Sequence, residues 1–186
     1  MVKTYRSLDD YIVLYNNLLT EKNCNLVVQN SNFQWSKHEW SHYDNIVDST
    51  NRDNEFDIAY AKDIVVRLIL NSAINKALEF YSTEFKVSYQ THTIPRINKY
   101  NVGNQIESHF DHITSIFDES KKGIPTLSIV GILNSEFEGG QFYFWEDKEI
   151  KFSKGDILVF PSIFMYRHKV LPVTSGTRWS FVSWAY

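Results

Sequence analysis

The chain has 186 residues, of which 43% are hydrophobic and 16% aromatic, and its formal net charge at pH 7 is −3. This length and apolar fraction are sufficient for one packed domain. The slightly acidic balance and the lack of a Lys/Arg-rich tract argue against nucleic acid or an anionic membrane as a partner.

Targeting signals are not evident in the sequence. No apolar signal-peptide core follows Met1–Arg6, and no stretch approaches eighteen consecutive apolar residues, so we expect a cytoplasmic protein without a signal peptide or a transmembrane segment. The single Cys24 cannot form an internal disulfide, which is compatible with a reducing compartment.

The amino-terminal part of the chain predicts helices. A capping sequence at Ser7–Asp10 precedes apolar residues at three- to four-residue spacing as far as Leu19, which predicts a core-facing helix. A second, short helix is predicted from Thr20 to about Asn30, and the longest helical pattern runs from about Ile58 to Tyr81. Residues 31–58 are polar with scattered aromatics and predict a covering loop with one short strand; an aromatic surface that contacts substrate is the alternative.

After Phe85 the sequence changes to short β-rich runs separated by turn residues. Many short strands of this kind indicate a sandwich or a jelly roll, and the long helix needs such a sheet to cover. The predicted strands are Val87 to Thr93, Ile97 to Val102, Ser108 to Ile113, Thr126 to Leu133, Phe142 to Trp145, Ile150 to Phe152, Ile157 to Phe160, Tyr166 to Leu171 and Trp179 to Trp184.

One predicted strand carries two metal-ligating side chains, those of His109 and Asp111. Residues two apart on a strand point to the same face and lie about 6.6 Å apart along the chain, so both side chains can reach one ion. His168, in another predicted strand, can supply a third ligand. Two histidines and one carboxylate form the facial triad of non-haem Fe(II) oxygenases, which leaves coordination positions open. His112 alternates to the other strand face and is not an expected ligand.

The sequence contains a second His-x-Asp motif, His42-Tyr43-Asp44. The next histidine after it, His92, has no basic residue ten positions later. His168 is followed ten positions later by Arg178, after a turn-like Thr174–Thr177 that we expect to bring the next strand back beside His168. We therefore interpret His42 as an ordinary polar residue.

A set of motifs in the second half of the chain resembles a known family. In order they are Tyr100-x-x-Gly103, His109-x-Asp111, Glu138-Gly139-Gly140, Lys154-Gly155-Asp156-Ile157-Leu158-Val159-Phe160, and His168 followed by Pro172-Val173-Thr174-x-Gly176-x-Arg178. With this order and spacing, residues 87 to 186 resemble the 2-oxoglutarate and Fe(II)-dependent dioxygenases, and more narrowly their prolyl 4-hydroxylase-like branch. The first eighty residues show no comparable resemblance.

The resemblance implies a mainly β fold with N-terminal helices. Its core would be a double-stranded β-helix, that is, a cupin-like jelly roll, packed on α-helices. We expect residues 1–186 to form a single dioxygenase domain, with 1–85 as a mainly helical supporting layer and 86–186 as the jelly-roll catalytic core.

Arg178 has the side chain that a 2-oxoglutarate site needs. Its planar, permanently charged fork matches the distal carboxylate of that cosubstrate, and Ser180 shares its strand face. The resemblance implies that the basic residue ten after the second histidine binds the cosubstrate and that a hydroxyl two residues further on assists it. Tyr100 matches the tyrosine that lines this pocket in the family. Trp184 is either a pocket wall or plain core.

Further motifs are expected to be structural. Gly139-Gly140 and Gly155-Asp156 indicate tight turns and support the fold more than the chemistry. The polar segment Thr114–Pro125 begins three residues after Asp111 and is either a solvated loop or a lid over the substrate.

The resemblance implies a complete set of cofactors and catalytic residues. Fe(II) would be bound by His109, Asp111 and His168, the cosubstrates would be 2-oxoglutarate and O₂, and ascorbate would be an accessory reductant. These three residues and Arg178 would be the catalytic residues, with Arg178, Tyr100 and Ser180 binding 2-oxoglutarate.

The function implied is hydroxylation of a C–H bond, with release of succinate and CO₂. The substrate implied is a prolyl residue in a peptide or protein, and a free amino acid or another small molecule is the alternative within this class. A non-catalytic cupin-like metal-binding or sensor protein, and a metal-dependent hydrolase or isomerase, are alternatives of other classes. Arg178 argues against both of these, because neither requires a buried cation at that spacing.

Overall fold

The computed structural model of the chain describes residues 6–41, 47–48, 54–112 and 125–186. The His42-Tyr43-Asp44 motif and nearly all of the proposed lid at 114–125 therefore lie outside the described residues.

The described residues form two α-helices, one 3-10 helix and fifteen short strands. In chain order these are the 3-10 helix (Leu8–Tyr11), β1 (Val13–Tyr15), α1 (Glu21–Val28), β2 (Ser36–Lys37), β3 (Trp40–Ser41), β4 (Val47–Asp48), β5 (Asp57–Tyr60), α2 (Ile64–Phe85), β6 (Arg96–Tyr100), β7 (Ile106–His109), β8 (Leu127–Ile132), β9 (Phe137–Gly139), β10 (Phe142–Phe144), β11 (Lys148–Ile150), β12 (Ile157–Pro161), β13 (His168–Val170), β14 (Val173–Gly176) and β15 (Arg178–Ala185).

Two antiparallel sheets make the body of the molecule. The larger has seven strands in the order β1-β12-β8-β15-β6-β5-β2, and the smaller has four in the order β11-β10-β13-β7. Strand pairs β14-β9 and β3-β4 complete the described sheets. Every pairing recorded between these strands is antiparallel. The expected jelly-roll core with packed helices is confirmed.

The large sheet is buried on both faces, because helix α2 covers one face and aromatic residues pack on the other. Neighbouring residues of β8 show this alternation: Ile129 belongs to the cluster with α2, whereas Val130 belongs to the cluster with Phe142 and Phe160. Burial on both faces explains why β8 reads as an unbroken apolar run. The second cluster places apolar side chains around the candidate active site.

Helix α2 is the long predicted helix, although it begins later than expected. Asp63 caps it, accepting hydrogen bonds from the backbone N–H groups of Val65 and Val66. The predicted start near Ile58 is wrong, because residues 57–60 form strand β5 and pair with β6. The predicted short helix after Thr20 is confirmed as α1, with the Thr20 hydroxyl accepting from Asn23 N–H.

The predicted helix from Leu8 to Leu19 is wrong. Only Leu8–Tyr11 are helical, as one 3-10 turn, and Val13–Tyr15 pair with β12 as an edge strand. The chain then turns at Asn17, whose φ is 55° and whose N–H donates to Asp156. Pairing with β12 satisfies backbone groups at the sheet edge that a local helix would leave without a protein partner.

Two further predictions about the strands need correction. Residues 87–93 form no strand and contribute only one isolated bridge, between His92 and Ala185. The predicted loop at 31–58 contains three short strands, β2 to β4, and the start of a fourth, β5, rather than a single strand. None of the helices within the described ranges is long and apolar enough to cross a membrane.

Candidate active site

The three expected metal ligands come together at one end of the small sheet. His109 ends β7 and pairs directly with His168, the first residue of β13. Potential ligand atoms of these histidines and of Asp111 all lie within 4.8 Å of one another. The Asp111 carboxylate oxygen is 3.4 Å from His109 Nε2 and 3.7 Å from His168 Nε2.

Asp111 was predicted to lie on the same strand face as His109, and the structure differs from this prediction. Strand β7 ends at His109, so Asp111 lies beyond the strand and does not share its face by simple alternation. His112 is not part of the cluster, as expected.

Hydrogen bonds orient both histidines toward the centre of the cluster. Nδ1 of His109 lies 2.8 Å from the Glu107 carbonyl oxygen, and Nδ1 of His168 lies 3.0 Å from the Tyr166 carbonyl oxygen. Because a carbonyl only accepts, each Nδ1 carries the proton and donates it, which leaves the Nε2 lone pair available for a metal ion.

The electrostatics of the cluster also suit a cation. Burial, together with the neighbouring His109, lowers the pKa of His168 to about 4, so this imidazole is neutral near pH 7. Burial alone would raise the pKa of Asp111, but the two histidines and the Ser128 hydroxyl outweigh it and lower that pKa. The site therefore offers one carboxylate and at least one neutral imidazole, which are the protonation states that metal binding requires.

Ser128, which the sequence analysis missed, supports Asp111 from behind. Its hydroxyl donates to Asp111 Oδ2 at 2.6 Å and lies 2.8 Å from the Ser162 hydroxyl. Because Asp111 Oδ1 is the oxygen near the histidines, this bond holds the carboxylate with one oxygen directed to the cluster. Ser128 lies in the large sheet and Asp111 just beyond a strand of the small sheet, so the two side chains meet only because the sheets face each other.

We expect Ser128→Ala to weaken metal binding about 10- to 100-fold, because it removes the hydrogen bond that orients Asp111. Ser162→Ala is the matched control, since Ser162 contacts Ser128 but makes no recorded bond to Asp111. The measurement is the dissociation constant for Fe(II), or for Mn(II) as a redox-stable probe, under nitrogen. Equal affinities in the two variants would contradict the assigned role of Ser128.

Aromatic rings surround the histidine pair. Phe142 stacks on His168 with ring centroids 5.2 Å apart, and Phe160 meets the same ring edge-on at 5.0 Å. On the other side, Trp40 lies edge-on to His109 at 5.4 Å. These contacts restrict the rotation of both imidazoles and exclude water from one side of the cluster.

Arg178 lies across the interior from the small sheet. It begins β15 in the large sheet, so the prediction that this strand returns beside His168 is wrong. Residues 174–176 belong to strand β14, which pairs with β9, and the chain crosses between the sheets there. As a consequence, Arg178 faces the candidate metal ligands from the opposite wall of the cavity that both line.

The Arg178 side chain is only 2% exposed and has no carboxylate partner among the described residues. Its Nη1 donates to the Ser180 hydroxyl at 3.0 Å, and its guanidinium carbon lies 5.2 Å from the ring centroid of Tyr100, its partner across the strands. Burial lowers the pKa of Arg178, but arginine remains charged in proteins. A buried cation of this kind needs an anion from outside the protein.

Gly140 makes room for this guanidinium stem. Its φ is +61°, and a Cβ added there would lie 2.8 Å from Arg178 Cδ. The Gly139-Gly140 motif is therefore part of the wall around Arg178, in addition to its expected role in a turn.

One cavity joins the ligand cluster to Arg178. Its lining contains all six of the site residues expected from the sequence, together with apolar side chains. The lining residues are Arg96, Tyr100, Ile106, His109, Asp111, Val130, Phe142, His168, Val170, Arg178, Ser180, Val182 and Trp184.

An open groove of about 420 Å³ adjoins this cavity. It shares five residues with the cavity and continues onto the segment before β5. The lining residues of the groove are Ser36, Lys37, His38, Glu39, Trp40, Ile58, Tyr60, Arg96, Ile106, His109, Phe110, Asp111 and Trp184.

Buried Glu55 organises one side of the groove. Its carboxylate lies 2.9 Å from His38 Nδ1 and accepts a hydrogen bond from Trp40 Nε1 at 2.7 Å. Burial lowers the pKa of His38, so the neutral ring donates to Glu55. Trp40 lies edge-on to His109, so the aromatic residues of 31–58 reach the candidate site; the alternative interpretation, that they contact substrate, stays a prediction.

The second half of the chain matches a known family. Residues 95–186 match the family model of the 2OG-Fe(II) oxygenase superfamily. The chain is 32% identical over 96 residues to a PKHD-type hydroxylase from Psychrobacter sp. strain PRwf-1, an alignment that covers 48% of this chain and 36% of that protein. It is 33% identical over 92 residues to a PKHD-type hydroxylase from Idiomarina loihiensis, covering 47% of this chain and 39% of the relative. The chain therefore spans less than half the length of these relatives.

Solved structures resemble the fold over nearly the whole chain. One is a prolyl hydroxylase from Trichoplax adhaerens in complex with a hypoxia inducible factor oxygen degradation domain peptide fragment (TM-score 0.67, 19% identity, 95% of this chain and 83% of that one). Another is a viral collagen prolyl hydroxylase from Paramecium bursaria Chlorella virus-1 in its 2OG complex (TM-score 0.62, 16% identity, 94% of each chain). At these identities the likeness establishes the double-stranded β-helix fold alone.

Proposed function

Through residues 95–186 the chain belongs to the 2OG-Fe(II) oxygenase superfamily, and from this premise we propose that it is a dioxygenase that hydroxylates a C–H bond. The observation that carries the proposal is a single cavity with a His-Asp-His cluster at one wall and the buried, unneutralised Arg178 at the other. This pair of features matches a cosubstrate that chelates a metal at one end and carries a carboxylate at the other.

The donor set fits Fe(II). His109, Asp111 and His168 would hold the ion through two imidazole nitrogens and one carboxylate oxygen, a facial set that leaves positions for a chelating 2-oxoacid and O₂. When bound, iron and O₂ supply oxidative decarboxylation of 2-oxoglutarate to succinate and CO₂, coupled to insertion of one oxygen atom into a substrate C–H bond.

The residues of the chain bind and orient the reactants. Arg178 would bind the distal carboxylate of 2-oxoglutarate through its fork, and the Ser180 hydroxyl holds Nη1 of that fork in place. Tyr100 lies beneath the guanidinium and lines the same cavity. Apolar side chains such as Phe142 and Val170 exclude water around the cosubstrate.

For the substrate, we propose a prolyl residue in a peptide or protein. Structural neighbours named as prolyl hydroxylases, one of them with a bound peptide fragment, support this class. The groove beside the metal cluster is open and about 420 Å³ in volume, which suits an extended segment. A free amino acid or another small molecule remains the second candidate, since the same groove admits it.

The test of the function is anaerobic titration of the Fe(II) protein with 2-oxoglutarate, followed by addition of O₂. We expect the weak visible charge-transfer band of chelated 2-oxoglutarate, then formation of succinate, and a mass gain of one oxygen atom on proline-containing peptides. Without 2-oxoglutarate binding, the oxygenase proposal fails and a cupin-like binding protein or another metal enzyme replaces it. Oxygen gain on free proline alone would replace the peptidyl substrate by the small molecule.

A further inference from the structure

The groove contains a second guanidinium, that of Arg96, which has no role in the catalytic site proposed above. Arg96 is the first residue of β6 and lines both the inner cavity and the groove. Arg178 and Ser180 line the cavity but not the groove. Arg96 therefore stands where the cosubstrate cavity opens toward the substrate.

The strand register separates the two arginines. Arg178 pairs with Tyr100, and Arg96 pairs with Val182. The backbone positions of the two arginines are therefore offset by four residues, or about 13 Å, along the strand direction. They point to the same face of the large sheet, because four is an even number of residues. The two guanidinium groups thus lie at opposite ends of one row of side chains on the inner face of the large sheet.

The Arg96 side chain is held in place but not neutralised. Its Nε donates to the side-chain amide oxygen Oδ1 of Asn98 at 3.1 Å, and its guanidinium carbon lies 5.1 Å from the ring centroid of Trp184. These contacts fix the plane of the fork and leave the Nη groups without a hydrogen-bond partner in the described part of the chain. No carboxylate within 4.0 Å of Arg96 is found among the described residues either.

Other charges in the groove are already matched or lie at its rim. Lys37 forms an ion pair with Asp57 at 2.8 Å. Glu39 is exposed. The Asp111 carboxylate is committed to the metal cluster. Among the described residues that line the groove, Arg96 is consequently the cation available to a ligand.

We propose that Arg96 binds a carboxylate of the substrate, so that the substrate presents an anionic group beside the carbon to be hydroxylated. The carboxylate is either an α-carboxylate, from a free amino acid or a C-terminal residue, or the side chain of an acidic residue next to the proline. The proposal rests on the proposed function in one respect, since that function identifies the ligand of Arg96 as the substrate. The binding of a carboxylate to Arg96 can be tested without turnover.

The experiment is calorimetric titration of the protein loaded with Fe(II) and 2-oxoglutarate under nitrogen, using two matched pairs of probes. The first pair is N-acetyl-L-proline and N-acetyl-L-prolinamide; the second is N-acetyl-prolyl-glutamate amide and N-acetyl-prolyl-glutamine amide. We expect the carboxylate member of at least one pair to bind about 10- to 100-fold more tightly than its neutral counterpart. The pair that shows the difference identifies the source of the carboxylate.

Arg96→Gln should abolish this difference and leave the affinity for 2-oxoglutarate unchanged, while Arg96→Lys, which keeps the charge but not the fork, should retain part of it. Lys37→Gln is the matched control: it removes a groove cation that Asp57 already neutralises, so the preference should persist. Near-UV circular dichroism verifies that each variant is folded.

Several results would overturn the proposal. One is that the wild type binds the carboxylate and the amide of both pairs equally well, or binds none of the four probes up to millimolar concentrations. Another is that Arg96→Gln still binds the carboxylate probe more tightly than the amide. A parallel loss of 2-oxoglutarate affinity in Arg96→Gln would make Arg96 a cosubstrate residue instead. Lower thermal stability with an unchanged carboxylate-to-amide ratio would make it structural. If the wild type does not bind 2-oxoglutarate at all, the proposed function fails separately from the role of Arg96.

Discussion

Alanine at His109, Asp111 or His168 is expected to abolish turnover, because each variant removes one of three ligands and the remaining two cannot hold Fe(II) in a facial site. The fold should persist, since each variant keeps the apolar side chains of both hydrophobic clusters and His168→Ala removes only ring contacts, such as those with Phe142 and Phe160, from them. The measurements are metal content after anaerobic reconstitution, succinate formation, and thermal unfolding of each variant.

His92→Ala is the control within the described residues, because His92 bonds to Thr93 and Ser183 and is not part of the ligand cluster. It should retain iron. His42→Ala is expected to behave as wild type as well, because His42 is interpreted as an ordinary polar residue. Loss of iron in His42→Ala together with retention in His109→Ala would show that the ligand assignment is wrong.

Arg178→Ala is expected to weaken 2-oxoglutarate binding about 10- to 100-fold or more, because a charged hydrogen-bond partner of a buried carboxylate contributes about 1.5–3 kcal/mol. Iron should stay bound, since Arg178 lies on the opposite sheet from the two histidines. Arg178→Lys should be milder, because it keeps the positive charge. Titration with 2-oxoglutarate under nitrogen gives the affinities.

Ser180→Ala serves as a graded comparison for Arg178. It removes the hydroxyl that holds Nη1 but leaves the guanidinium in the cavity, so its effect should be smaller than that of Arg178→Ala. If Arg178→Ala binds 2-oxoglutarate as tightly as the wild type, the main reason for placing the cosubstrate in this cavity is lost.

The candidate ligand motifs could be predicted from the sequence because their spacing is local. His109 and Asp111 are two residues apart, and Arg178 follows His168 by ten residues. Both spacings can be read from the sequence without knowledge of the fold. The same locality explains the confirmed prediction of helix α1, whose cap residue Thr20 bonds to Asn23 three positions later. Strand β8 was recognisable as well, because burial on both faces produces a continuous apolar run.

Pairing between strands distant in the sequence determined the elements that local sequence patterns failed to predict. The apolar spacing after Ser7 is that of a helix, yet Val13–Tyr15 pair with the edge of β12, more than 140 positions away. Strand β15 was expected beside His168, but it lies in the large sheet between β8 and β6. That placement puts Arg178 across the cavity from the candidate metal ligands, at the far end of the space in which we propose that 2-oxoglutarate binds.

The sequence by itself therefore determined the residue types of the candidate centre: two histidines, one aspartate and one arginine at characteristic spacing. Only the tertiary structure brought Ser128 to Asp111, Trp40 to His109 and Arg96 to the mouth of the cavity. The physical reason is that the residues in each of these placements lie on, or just beyond, elements that are distant in the sequence. Their side chains become neighbours only when backbone hydrogen bonds and burial of apolar surface select the strand order and register.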